Sequence, residues 1–168
     1  MREERYSFSD QEVKAYFQEE RVLGGMFRVL ETIFGVSMRA SNAPVWHPTV
    51  RFFDVIDRQG ALVGQFYLDL YARAAKRGGA WMDAFITGID FGARYEPHAG
   101  LICGNLTPPV DAKPALLTHR EVETIFHEFG HLLHHCLSRV EVRSLAGANV
   151  AWDFVELPSQ IMENWCWE

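Results

Sequence analysis

Long apolar runs are missing from this chain. None approaches the roughly 18 residues a membrane-spanning helix needs, which excludes a helical span and a membrane partner of that kind. Cysteine is scarce too. Cys103, Cys136 and Cys166 form an odd set without a C-x-x-C pair, which argues against a disulfide framework and suits a reducing compartment. Positive charge is in deficit: a formal net charge of −6 denies the chain an electrostatic surface for nucleic acid. There is no internal repeat and no low-complexity linker. Met1, Arg2, Glu3, Glu4 and Arg5 lead into no apolar segment, so no secretory leader is expected and the location implied is cytoplasmic. What the chain does have is apolar mass. With 48% hydrophobic residues, twelve Phe and five Trp in 168 positions, it can build one domain with a core.

The stretch His127-Glu128-Phe129-Gly130-His131 concentrates the chemistry. Residues four apart on an α-helix lie one turn above each other, so two imidazoles here can meet one Zn²⁺ while Glu128 stays free as a carboxylate. The helix itself is legible. Thr118 and Glu121 form a T-x-x-E capping box, and Val122, Ile125, Phe126, Phe129, Leu132, Leu133 and Leu137 recur at amphipathic spacing. The pattern predicts one buried helix over about 119–138, with Gly130 tolerable inside it where another backbone or a substrate comes close.

A catalytic zinc needs a third protein ligand and an open position. Glu156 is the leading candidate after the motif, but spacing alone leaves Asp153, Glu163 and Glu141 in contention. His134 and His135 fall near the same side of the helix and are expected to pack or hydrogen-bond below the site. His47 and His98, beside prolines, read as surface groups, and Arg73, Lys76 and Arg77 as a solvated basic loop.

The rest of the chain reads as α+β. Ser9 and Glu12 make another capping box, opening a helix to about residue 19. Gly24 and Gly25 are expected to break it before a second helix over about 26–33, which stops at Gly35. Strands are expected over 36–40, 51–56, 62–70 and 100–106, with Asp57-Arg58-Gln59-Gly60 as a hairpin turn and 72–81 as a loop.

The run from His127 to His131 with His134 and His135, followed by Trp152-Asp153-Phe154-Val155-Glu156-Leu157-Pro158-Ser159-Gln160, closely resembles the thimet oligopeptidase family of zinc metallopeptidases. Segments 66–71, 76–81, 105–109 and 113–119 match it too. The resemblance implies a zincin-like catalytic core, with helices over about 9–34, a small sheet over about 36–106 and zinc-site helices over about 119–138 and 154–168. It implies one Zn²⁺ per chain on His127, His131 and Glu156, Glu128 as general base, and short peptides as substrates. Asp153 or Glu163 would orient a ligand imidazole through its other ring nitrogen. An edge strand near the metal pairs with the extended peptide in that family. The stretch from Ile102 to Leu106, centred on Cys103, Gly104 and Asn105, is the candidate here, against its reading as an ordinary core strand. Family members are longer and mainly helical, and a later His and Tyr stabilise the tetrahedral intermediate. This sequence therefore reads as a catalytic-region fragment, on which the missing N- and C-terminal parts would pack.

Overall fold

The computed structural model describes residues 10–90, 92, 95–111 and 113–167. Two long helices lie on one face of a five-stranded sheet. The chain begins with a short helix α1, Asp10–Lys14, and continues into the first long one, α2, Glu19–Phe34. Ser9, half of the first capping box, lies outside the described residues. Contrary to expectation, α2 runs through Gly24 and Gly25. A glycine costs about 1 kcal/mol against alanine in a helix, whereas Leu23, Met26 and Leu30 are fully sequestered along one stripe, and that burial outweighs the cost. Gly35 ends the helix in the left-handed region at φ 67°, its N–H returning to the Glu31 carbonyl.

Strands β1 (Ser37–Ser41), β2 (Arg51–Ile56) and β3 (Leu62–Tyr71) form an antiparallel meander. Between β2 and β3 the Asp57 carboxylate accepts the N–H groups of Gln59 and Ala61, and Gly60 takes φ 84°, as the hairpin turn requires. After β4 (Trp81–Ile86) and the small pair β5 (Ile89–Asp90) and β6 (Tyr95–Glu96) comes β7, His98–Leu106. It inserts parallel to β3 and antiparallel to β4, giving the order β1-β2-β3-β7-β4.

Strand β4 has no counterpart in the sequence pattern, which predicts only a loop up to its first residue. Its side chains are half-buried or exposed, and it pairs on one side only, so it carries little alternation. The segment before it is no solvated face either. Asp69, 2% exposed, holds Arg73 through two hydrogen bonds of 2.6 Å each and accepts one from the Trp46 indole. Lys76 is also tucked in, bonded to Asp69 and to the carbonyls of Tyr71 and Gly104. Burial alone raises the Asp69 pKa, but the donors from Arg73, Trp46 and Lys76 outweigh it and hold the carboxyl at about 2.

The core lies between the sheet and the two long helices, the second of which is α3, His119–Cys136. Phe66 stacks on Phe53 at 5.1 Å and receives the edge of Phe129 from α3 at 5.3 Å. His98 is buried rather than superficial: its Nδ1 accepts the Gly88 N–H, and its Nε2 donates to the Ser138 carbonyl. Among the described residues no helix is long and apolar enough to cross a membrane.

Candidate metal centre

Helix α3 begins at the capping box expected from the sequence. The Thr118 hydroxyl accepts the Glu121 N–H, and the Glu121 carboxylate accepts the Thr118 N–H at 2.7 Å. That start fixes the helix phase, and the phase sets His127 and His131 one turn apart with ring centroids separated by 4.9 Å. Both rings sit at the surface edge of the core, with side chains 26% and 14% exposed.

Opposite them stands α4, Leu157–Glu163, with Glu156 as its N-cap residue and Pro158 in its first turn, where a missing N–H costs nothing. Gly130 makes the approach feasible. A Cβ there would collide with Ser159 Cα and lie 2.5 Å from the Pro158 carbonyl oxygen, so α4 rests directly on bare α3 backbone. Ser159, wholly buried, donates from its hydroxyl to the Glu156 carbonyl at 2.9 Å and to Oε2 at 2.8 Å.

Three ligand-type side chains thereby converge. Glu156 Oε2 lies 3.2 Å from His127 Nε2 and 3.1 Å from His131 Nε2, and the three donor atoms fall within 4.8 Å of one another. Donors bound to one tetrahedral zinc at about 2.1 Å sit roughly 3.4 Å apart, so the two Glu156–imidazole spacings and the two-imidazole, one-carboxylate chemistry fit such an ion. Burial, the largest cause, lowers the His131 pKa and so favours the neutral ring that ligation requires, with Glu156 opposing. Ser159's hydroxyl is the largest influence on Glu156 and lowers its pKa; burial opposes it, and the two imidazoles add to the lowering.

Around this cluster the sequence candidates separate. Glu163, two turns along α4 from Glu156, accepts from His127 Nδ1 at 2.6 Å and so fixes which ring nitrogen faces the cluster. Asp153 is exposed and, among the described residues, bonds to nothing at the site. Glu128 is 7% exposed; burial raises its pKa, Glu156 adds to that, and His127 and the Met82 N–H of β4 oppose it. His135 points away, donating to the Ile86 carbonyl at 3.0 Å, while His134 packs near Phe154 at 6.2 Å. Among the described residues His131 Nδ1 has no hydrogen-bond partner.

The expected peptide-pairing strand needs correction. Cys103, Gly104 and Asn105 lie in β7, which is interior: Cys103 pairs with Trp81 on one side and Asp69 on the other. The backbone that Gly104 admits is that of Leu70 in β3, whose carbonyl oxygen lies 3.1 Å from where a Cβ would stand. Asn105 donates to the Arg77 and Gly79 carbonyls. Among the described residues the edge of the sheet next to β7 is β4. Ser159 and the Met82 N–H are contributors that sequence reasoning misses. Ser159 is recoverable, as a hydroxyl three residues past a helix-starting Glu; Met82 requires the sheet order.

Comparison with known proteins runs through the same residues. The family described as Peptidase family M3 matches residues 1–168. Oligopeptidase A of Escherichia coli is 51% identical over 167 residues, covering 97% of this chain and 24% of that protein. The probable cytosolic oligopeptidase A of Arabidopsis thaliana is 43% identical over 176 residues, covering 99% and 25%. Dipeptidyl carboxypeptidase of Escherichia coli is 38% identical over 167 residues, covering 98% and 24%. The chain thus spans about a quarter of the length of these relatives. A match running from the first residue to the last, through α3 and α4 alike, places this chain in peptidase family M3.

Proposed function

We propose that this chain is the metal-bearing part of a zincin-like endopeptidase that hydrolyses internal bonds of short peptides. The observation that carries the reading is the convergence of His127, His131 and Glu156 beside the buried Glu128. His127, His131 and Glu156 would hold one Zn²⁺, which supplies Lewis acidity toward a water and a scissile carbonyl. Glu128 takes the proton from the attacking water and delivers it to the departing amine. Glu163 keeps His127 turned with Nε2 toward the cluster, and Ser159 keeps the Glu156 carboxylate there. Strand β4 offers an edge that is unpaired among the described residues to an extended peptide, and its Met82 backbone favours the ionised form of Glu128. Main-chain pairing of this kind suits broad sequence tolerance.

A second reading is favoured by the coverage of about a quarter of each relative. On it, the chain binds zinc without turning peptides over, because groups that stabilise the transition state belong to the remaining length. Cleavage of a quenched fluorescent peptide, alongside elemental analysis, separates the two. Glu128→Gln is expected to retain the metal and lose turnover by at least about 100-fold. Loss of the metal in that variant would make Glu128 a ligand and overturn the scheme.

A further inference from the structure

We propose that His119, the first residue of α3, is a positioning residue for the metal centre: it anchors the far end of α4 and thereby holds Glu163 against His127. The proposal rests on the zinc reading above and deepens it. Three contacts fix how α4 lies. Ser159, near its start, rests on Gly130, and Glu163, its last residue, meets His127. The chain then continues in the short turn Asn164–Cys166, where the Cys166 carbonyl accepts from His119 Nε2 at 3.0 Å. As α4 advances, its partners step back along α3 toward that helix's start, so the two run antiparallel. His119 is the last of these partners, and the carbonyl it grips follows closely on Glu163.

Helix α4 has no stability of its own to place Glu163. It is seven residues long, well below the about 12–15 at which an isolated helix is even marginal in water. Leu157 and Ile161 on its outer side are half exposed, so packing there does not hold it. Contacts at its two ends therefore decide where it stands. The bond between Glu163 and His127 joins two partly exposed side chains, which can move together and leave the backbone free. His119 differs in gripping a backbone carbonyl, which fixes the chain itself. Its own ring is braced, lying 4.4 Å from the Trp167 ring and 5.9 Å from that of Phe17, with Nδ1 3.8 Å from Glu123. Glu123 lies between His119 and His127 at four-residue spacing, on one stripe of α3. The capping box of Thr118 and Glu121 fixes the helix start from which this anchor projects. A plain structural clamp would stabilise the fold without reaching the metal; a positioning residue acts on the metal through Glu163.

The test is zinc affinity of the full chain by chelator competition, with far-ultraviolet circular dichroism reporting the fold of each variant. His119→Phe keeps a ring against Trp167 and Phe17 but has no donor, and His119→Gln returns a donor at a similar reach. Removing a group that orients a ligand costs about 10–100-fold in metal affinity, and a hold one step further out acts near or below the low end of that range. The expected result is a loss of about 3–10-fold in His119→Phe, restored in His119→Gln. The loss should vanish when Glu163 is already Ala, since both changes act through one contact. Trp167→Ala, which unbraces the same ring, carries the same expectation should His119→Phe not fold. An undiminished loss in the Glu163→Ala background, or no loss at all, overturns the proposal and leaves His119 a packing group. A second readout needs no metal: the proton on His127 Nδ1, followed in the zinc-free chain by nitrogen-edited NMR of labelled histidine at low temperature. It is expected to broaden or vanish in His119→Phe and to persist in His119→Gln; persistence in the Phe variant contradicts the proposal. A folded wild-type chain that binds no zinc yet shows this response loses the zinc reading and keeps the positioning role. Zinc bound with equal affinity by wild type and both His119 variants keeps that reading and removes the role.

Discussion

At the scale of single residues, the site is a set of hydrogen bonds that choose ring nitrogens and carboxylate oxygens. His127 can present only one nitrogen to the cluster, and the 2.6 Å bond from Nδ1 to Glu163 makes that nitrogen Nε2. Removing the acceptor frees the ring to rotate and weakens its basicity. Glu163→Ala is therefore expected to weaken zinc binding by about 10–100-fold in a chelator competition titration, with the far-ultraviolet spectrum unchanged. His127, His131 and Glu128 are legible from the motif, because ligand type and helical spacing are properties of the sequence alone, whereas Glu156 is singled out by the family resemblance, spacing leaving other carboxylates beside it. The choice between Asp153 and Glu163 is not. Both are carboxylates near Glu156, and only the end-to-end placement of α4 turns one toward His127 and leaves the other in solvent.

At the scale of elements, the site exists because α4 lies directly on α3. Gly130→Ala drives a methyl group into Ser159 Cα and to 2.5 Å from the Pro158 carbonyl oxygen, backbone that cannot yield as a side chain would. The variant is expected to lose about 1–3 kcal/mol by overpacking and to lose metal, since Glu156 is displaced with α4. Thermal melting and elemental analysis check the two halves of that statement. Close approach at Gly130 can be anticipated, since a glycine inside an amphipathic helix wants a reason; what approaches cannot. Gly24 and Gly25 show the converse, glycines that look like a break and are absorbed by the stripe of Leu23, Met26 and Leu30. The edge strand β4 escapes the sequence because half-exposed strands carry weak alternation. Its far end is tied down by buried imidazoles. His98 holds Gly88 to Ser138, and His135 holds Ile86. Burial lowers the His98 pKa from 6.5 to about 4, with His135, Arg139 and Arg143 acting in the same sense and the Ser138 carbonyl opposing. The unfolded chain binds a proton below pH 6.5 that the folded chain refuses, so this contribution is complete above 6.5. It falls away as the pH drops toward 4, by about 3 kcal/mol. Urea midpoints of the wild type and His98→Gln should accordingly converge as the pH falls through that window; a constant gap would show that His98 is not held neutral.

At the scale of the whole molecule, sheet and helices share one core, and the chain they make is about a quarter of what its relatives carry. The α+β class and the α3 helix follow from periodicity and capping. The strand order does not, because placing β7 between β3 and β4 pairs segments distant along the chain, which no local pattern encodes. Large apolar side chains stand at the surface, such as Trp152 at 92% and Trp167 at 69% exposure. The cluster lies at the surface, with the Glu156 side chain half exposed. The central claim is that this body alone gathers one zinc on His127, His131 and Glu156. Zinc content of the purified chain, compared with Glu156→Ala by elemental analysis, tests it most directly. The account predicts about one zinc per chain in the wild type and its loss in the variant. A folded wild-type chain without zinc, or a variant that keeps it, would contradict the assignment.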